Sequence, residues 1–116
     1  MLKIVVAGSR TFNNYELLKQ TLDVYIGNQQ NVEIVSGTAR GADQLGEQYA
    51  REKGFTIKRF PADWEKYGKR AGYLRNEEMA KYSSDAVIFW DGISKGTAIM
   101  IELCKKYKLN YHVVRF

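Results

Sequence analysis

The stretch Ser36-Gly37-Thr38-Ala39-Arg40-Gly41-Ala42-Asp43 lies between an apolar run, Val32 to Val35, and an amphipathic segment that starts near Ala42. A strand that ends in small residues and restarts as a helix leaves backbone N–H groups free beside the positive end of a helix dipole, and such a spot attracts anions. Gly37 and Gly41 permit positive φ or close approach to a ligand, while Ser36, Thr38 and Arg40 supply further donors. The stretch reads as a phosphate cradle. Two other segments share its chemistry: Gly8-Ser9-Arg10, whose arginine offers a planar fork to phosphate or carboxylate, and Asp91-Gly92-Ile93-Ser94-Lys95-Gly96-Thr97, which pairs glycines with hydroxyls. In the second, anion binding is favoured over plain capping by Ser94. Arg75 and Asn76 place a charged fork beside an amide, although an ordinary helix start explains them equally well.

The candidate acids are Asp43 and Glu102. Asp43 either complements a helix dipole or accepts a ribose hydroxyl; Glu102 is either a surface acid or a catalytic one, with the surface role favoured by its distance from Thr97. Trp64 and Tyr67 either stack on a base or pack a loop, and packing is the expectation. One histidine, His112, and one cysteine, Cys104, leave no metal site or Cys-His dyad to assemble, and Ser36 has no histidine for a triad. No Gly-Lys-Ser/Thr follows the cradle, which argues against a magnesium-dependent nucleoside triphosphatase. The sequence calls for no cofactor.

Positioning these groups requires strands that end at them. Leu2 to Ala7 is a short Ile/Val-rich run suited to a strand buried on both faces. Asn13 with Glu16 resembles a capping box, and Tyr15, Leu18, Leu22, Tyr25 and Ile26 carry a helix to about Gly27. Val32 to Val35 is a second strand. Ala42, Leu45, Gly46, Tyr49 and Ala50 mark a core-facing helix stopped by Gly54. Phe55 to Phe60 alternates and leads into Pro61, which suggests a strand nearer an edge. Pro61 to Arg70 reads as loop, Ala71 to Tyr82 as helix, Asp85 to Trp90 as strand, Thr97 to Tyr107 as helix and Tyr111 to Val114 as the last strand. Alternating strands and helices imply right-handed crossovers, hence one Rossmann-like α/β domain over residues 1–116: a parallel five-stranded sheet with helices on both faces. Ligands of such sheets bind beyond the carboxyl ends of the strands, where strand order reverses. The three glycine-bearing turns all follow strands, so they should meet on one rim.

Composition fits that picture. The 116 residues are 45% hydrophobic, 27% charged and carry a net charge of +5 spread along the chain, which suits an anionic ligand without a dense polybasic block. The expected location is cytoplasmic, away from membranes.

Taken together, Gly8-Ser9-Arg10; Ser36-Gly37 with Ala39, Gly41, Ala42 and Asp43; Pro61-Ala62-Asp63-Trp64 with Tyr67-Gly68-Lys69; Ala71-Gly72 with Arg75-Asn76; and Phe89-Trp90-Asp91-Gly92 with Ser94 and Gly96-Thr97 resemble the YspA/YpsA-related branch of the SLOG superfamily. Thr38 departs from the glycine or other small residue expected there. The resemblance implies glycine loops that hold nucleotides or nucleotide-derived sugars. Its first functional implication is capture of a phosphorylated nucleotide derivative, such as ADP-ribose or a cyclic relative, by a sensor or a sequestering protein of the kind a virus would use to blunt a host signal. The rival is an N-glycosidic phosphoribohydrolase of the Lonely Guy type, using Asp43 or Glu102. There the catalytic Glu falls three residues after the Gly-Thr, whereas here Met100 holds that place and Glu102 lies roughly 200° farther around the helix. A third reading is a single-stranded nucleic-acid-binding module; the aromatics sit mostly at core-like positions, so nucleic acid is not the expected partner. Relatives of the fold self-associate, and a homo-oligomer is expected.

Overall fold

The computed structural model describes residues 1–116. Strands β1 (Leu2–Gly8), β2 (Val32–Ser36), β3 (Thr56–Arg59), β4 (Asp85–Trp90) and β5 (Asn110–Arg115) form one sheet in the order β3-β2-β1-β4-β5, with every pairing parallel. Helices α1 (Tyr15–Ile26), α2 (Ala42–Lys53), α4 (Ala71–Tyr82) and α5 (Lys95–Lys106) make the crossovers, and a single turn, α3 (Trp64–Tyr67), precedes α4. This is the Rossmann-like α/β arrangement that the strand–helix alternation implies.

β1 shows why both faces of the sheet are covered. Ile4 and Val6 face one layer with Leu18, Leu22 and Ile26 of α1 and Tyr49 and Ala50 of α2, whereas Val5 and Ala7 face the other with Met79 and Ala80 of α4 and Met100, Leu103 and Cys104 of α5. Side chains alternate along a strand, so a run apolar at every position can be buried only between two helical layers. Truncating a side chain as deeply buried as Leu22 to alanine costs about 2 to 5 kcal/mol. Cys104 is completely buried in the second layer, and burial pushes its thiol up to about 11.

Strand order reverses between β1 and β4: the chain leaves β1 toward β2 and β3, then crosses back to lay β4 on the other side of β1. Gly8 ends β1 at this point, and a Cβ there would collide with the Phe89 carbonyl of β4. Helix α2 sits close on the sheet because Gly46 rests against Val6.

Local signals differed from the outcome in two places. Asn14, rather than Asn13, caps α1, its side chain accepting the Leu17 N–H at 3.1 Å. Adjacent asparagines satisfy the same local rule, and Phe12, buried and stacked on Phe89 with ring centroids 4.6 Å apart, anchors the chain just before the turn. The segment 61–70, read as loop, holds α3 and a 3-10 turn, Gly68–Arg70. Asp63 caps α3 by accepting the Lys66 N–H and Gly68, at positive φ, stops it, so the helix is too short for apolar periodicity to announce it. β3 and β5 are the sheet edges. No helix is long and apolar enough to cross a membrane.

Candidate functional site

Beyond the carboxyl ends of β1 and β4 lies a cavity of about 300 Å³, lined by Ala7, Gly8, Ser9, Arg10 and Thr11 from β1 and its loop, Ala39 and Asp43 from the β2–α2 connection, Arg75, Asn76 and Met79 from α4, and Ser94, Gly96, Thr97 and Met100 from α5. The three glycine-bearing turns therefore converge on one crevice at the point of strand reversal.

Ser9 staples two of its walls. Its N–H donates to the Phe89 carbonyl at 3.0 Å, and its buried hydroxyl accepts the Asp91 N–H at 3.2 Å. Asp91 folds the next loop around itself: Oδ1 accepts the N–H groups of Ile93 and Ser94, each at 2.8 Å, and Oδ2 accepts the Ser94 hydroxyl at 3.0 Å. Those hydrogen bonds hold its carboxyl down at about 2. Because the Ser94 hydroxyl is committed to Asp91, it does not cap α5. The first helical bond runs from the Ala98 N–H to the Ser94 carbonyl, which leaves the N–H groups of Lys95, Gly96 and Thr97 without helical acceptors. Gly96 and Thr97 line the crevice.

Across the cavity, Asp43 ties the cradle to α2. Its Oδ2 accepts the Ala39 N–H at 3.1 Å, and burial pushes its carboxyl up to about 6, against the opposing pull of the Ala39 N–H and the Arg75 charge. Arg75 is partly buried; Nη1 donates to the Gly37 carbonyl and Nε to Asn76 Oδ1 at 2.8 Å. Burial lowers the Arg75 pKa, Asp43 opposes that shift and Arg10 adds to it, so the two guanidinium groups repel across the crevice. Arg10 stands exposed at its mouth. Arg10 and Arg75 thus bring two positive charges to one cavity, where an oxyanion would relieve their mutual repulsion.

Not every candidate reaches the cavity. The buried Ser36 hydroxyl donates to Glu47 Oε2 at 2.7 Å and accepts the Thr38 N–H at 3.1 Å; Arg59 in turn holds Glu47 Oε1 through Nε and Nη2. Ser36 thus shapes the cradle from behind. Gly37 contributes its carbonyl to Arg75, and Thr38 is exposed in the left-handed region at φ 64. Gly41, at φ 78, presses on the Ser9 and Arg10 carbonyls, and Ala42 is buried beneath. Gly92 abuts Arg115. These six residues, expected against the ligand, stand outside the cavity lining: Ser36, Gly37, Gly41, Ala42 and Gly92 are packed behind or beside it, and Thr38 is exposed on the loop. Glu102 takes the surface role favoured for it rather than the catalytic alternative: its side chain is 71% exposed and paired with Lys105 at 3.7 Å, outside the cavity lining. The lone acid in the lining is Asp43. Trp64 and Tyr67, expected to pack, are only partly covered at 53% and 40% exposure, with one edge of the Trp64 ring against Gly72 of α4. Ala7, Thr11, Met79 and Met100 also line the cavity and were not singled out by the sequence. The methionines follow core-facing helical spacing, and nothing local separates a core position from a cavity floor.

Comparison with known proteins bears on this geometry. Gene 61 protein of Mycobacterium phage D29 is 34% identical over 104 residues, covering 84% of this chain and 83% of its own. Among solved structures, DNA processing protein A (DprA) from Streptococcus pneumoniae superposes with a TM-score of 0.81 at 15% identity over the whole chain, which spans 51% of that protein. DprA from Helicobacter pylori gives 0.71 at 20% identity over 97% of this chain and 64% of its own. At such identities the likeness is one of fold, and the chain spans only part of each DprA protein. The H. pylori structure is described as giving the protein's single-stranded DNA binding mode, which overturns the expectation that nucleic acid is an improbable partner: this architecture serves a strand-binding protein. Residues 2–67 match the family YAcAr, described as the YspA, cpYpsA-related SLOG family, and cover more than half of the sequence. With the five-stranded parallel sheet and the phage relative, that match places the chain in the YspA, cpYpsA-related SLOG family.

Proposed function

We propose that the crevice binds the phosphate-bearing part of a nucleotide, with ADP-ribose or a cyclic relative as the leading ligand, and that the protein captures this ligand as a sensor or sequestering protein. The observation that carries the reading is the approach of Arg10 and Arg75 to one cavity on whose other side the first N–H groups of α5 lack helical acceptors. The arginines and the helix start supply charge and donors to the same anion. Asp43 stands beside them, its carboxyl raised to about 6, and its free oxygen can accept a ribose hydroxyl whether the group is ionised or protonated. Turnover by the phosphoribohydrolase route would have to use Asp43, since Glu102 lies outside the cavity lining.

Isothermal titration with ADP-ribose, cyclic ADP-ribose and nucleoside monophosphates, followed by chromatography of the incubated ligand, tests this. Binding with intact recovery is the expected result, and Arg75→Ala should weaken it about 10- to 100-fold, the worth of a charge-assisted hydrogen bond. Release of free base would replace capture with catalysis. A second reading, single-stranded DNA, is favoured by the strand-binding description of the H. pylori neighbour. An oligonucleotide that binds more tightly than any mononucleotide, with steep weakening in salt, would establish it.

A further inference from the structure

Trp64 is the most exposed aromatic of the chain and belongs to neither core layer nor the crevice lining. It begins α3, its side chain half in solvent at 53% exposure. Its ring edge, Cη2, lies 3.4 Å from the point where a Cβ on Gly72 would stand, and Arg75 Nη2 lies 3.9 Å from that same point. The indole therefore rests on the first turn of α4, beside the guanidinium that faces the cavity. The segment that presents it is tied in place by Asp63, which caps α3, and by the Gly68 N–H, which donates to the Trp64 carbonyl. Positive charge continues along the same segment in Lys66, Lys69 and Arg70, all exposed.

Resting on the anion-binding reading of the crevice, we infer that Trp64 is the stacking platform for the base of the bound nucleotide, held one side chain away from the arginine that takes its phosphate. An indole offers the broadest π-surface of any side chain, and stacking accepts every base, so this contact sets affinity for base-bearing ligands without choosing among them. The ligand chemistry is a nucleobase joined through ribose to phosphate, carried either by a free nucleotide or by one unit of a single strand.

AMP and ribose 5-phosphate differ only by the base, so titrating both separates stacking from phosphate binding. The wild-type protein should bind AMP roughly 10- to 100-fold more tightly. Trp64→Ala should bring AMP down to the affinity of ribose 5-phosphate and leave ribose 5-phosphate unchanged, and Trp64→Tyr should restore most of the difference. An unchanged AMP to ribose 5-phosphate ratio in Trp64→Ala overturns the inference, as does an equal loss for both ligands, which would mark a structural role. In either case the crevice reading survives if Arg75→Ala still weakens ribose 5-phosphate. Failure of both ligands to bind the wild-type protein removes the crevice reading and the stacking with it. Oligo(dA) binding more tightly than AMP, and losing that advantage in Trp64→Ala, supports the inference and identifies the base as one carried on a strand.

Discussion

Two loops face each other across the crevice, and each is ordered by a single aspartate in the opposite electrical condition. In the β2–α2 loop, Asp43 reaches back from inside the helix to the Ala39 N–H and is buried, so its carboxyl rises to about 6. In the β4–α5 loop, Asp91 reaches forward from before the helix to Ile93 and Ser94 and lies nearer water, and its carboxyl falls to about 2. The same side chain doing the same architectural job is thus charged at all ordinary pH in one wall and close to its titration point in the other. The first wall holds Arg75, so the charge state of Asp43 sets how much of the Arg75 positive potential is left uncompensated in the crevice.

The most severe way to break this contrast is truncation. Asp43→Ala leaves the Ala39 N–H and the Arg75 guanidinium without their acceptor and facing charge in a buried setting, and should cost about 2 to 4 kcal/mol in urea unfolding. Asp91→Ala should cost less, because water can replace its partners. Equal losses would show that burial does not separate the two loops.

A pH series sharpens the comparison. Folded Asp43 keeps its proton up to about pH 6, whereas an unfolded aspartate loses it near the ordinary value of 3.8. The native state therefore binds more protons between those values, and the contribution of Asp43 to stability falls as pH rises through that window, on the order of 2 to 3 kcal/mol in all. Asp91 acts with the reverse sign: its contribution is complete above 3.8 and is lost as pH drops toward 2. Asp43→Asn should flatten the decline between pH 4 and 6 while leaving the acid-side loss in place, as followed by thermal unfolding across pH. Binding offers the same reading at smaller scale. ADP-ribose affinity should strengthen several-fold as pH falls through 6, and Asp43→Asn should abolish that dependence in calorimetry.

The smallest effect concerns the backbone. Each loop contains a residue at positive φ, Gly92 in one and Thr38 in the other. A β-branched residue is strained there, so Thr38→Gly should stabilise the protein by about 1 kcal/mol, part of the relief being offset by the added freedom of the unfolded chain.

What the sequence disclosed follows from how local each signal is. Strands, crossovers and the three glycine-bearing turns are written in adjacent residues, and the rule that parallel strands open at one end brings those turns together without further information. Long-range pairings are not written that way. The Ser36 hydroxyl turns inward because Glu47, eleven residues on, receives it, and Arg75 reaches back to a carbonyl at Gly37. From the sequence alone, a serine and a threonine in a glycine loop look like ligand donors; only packing shows that one is committed to Glu47 and the other sits in strained backbone. The exposed indole of Trp64 was hidden for a related reason, since a four-residue helix leaves no periodicity to show which way its first residue faces.

Cys104 carries a practical consequence. A thiol wholly enclosed by the second core layer, with its ionisation pushed to about 11, is inert to maleimide reagents at neutral pH. A single cysteine introduced at the exposed Tyr67 would then be the one reactive site on the molecule, so a dye could be attached to the short α3 turn and its response to added nucleotides followed in real time without first removing the native residue.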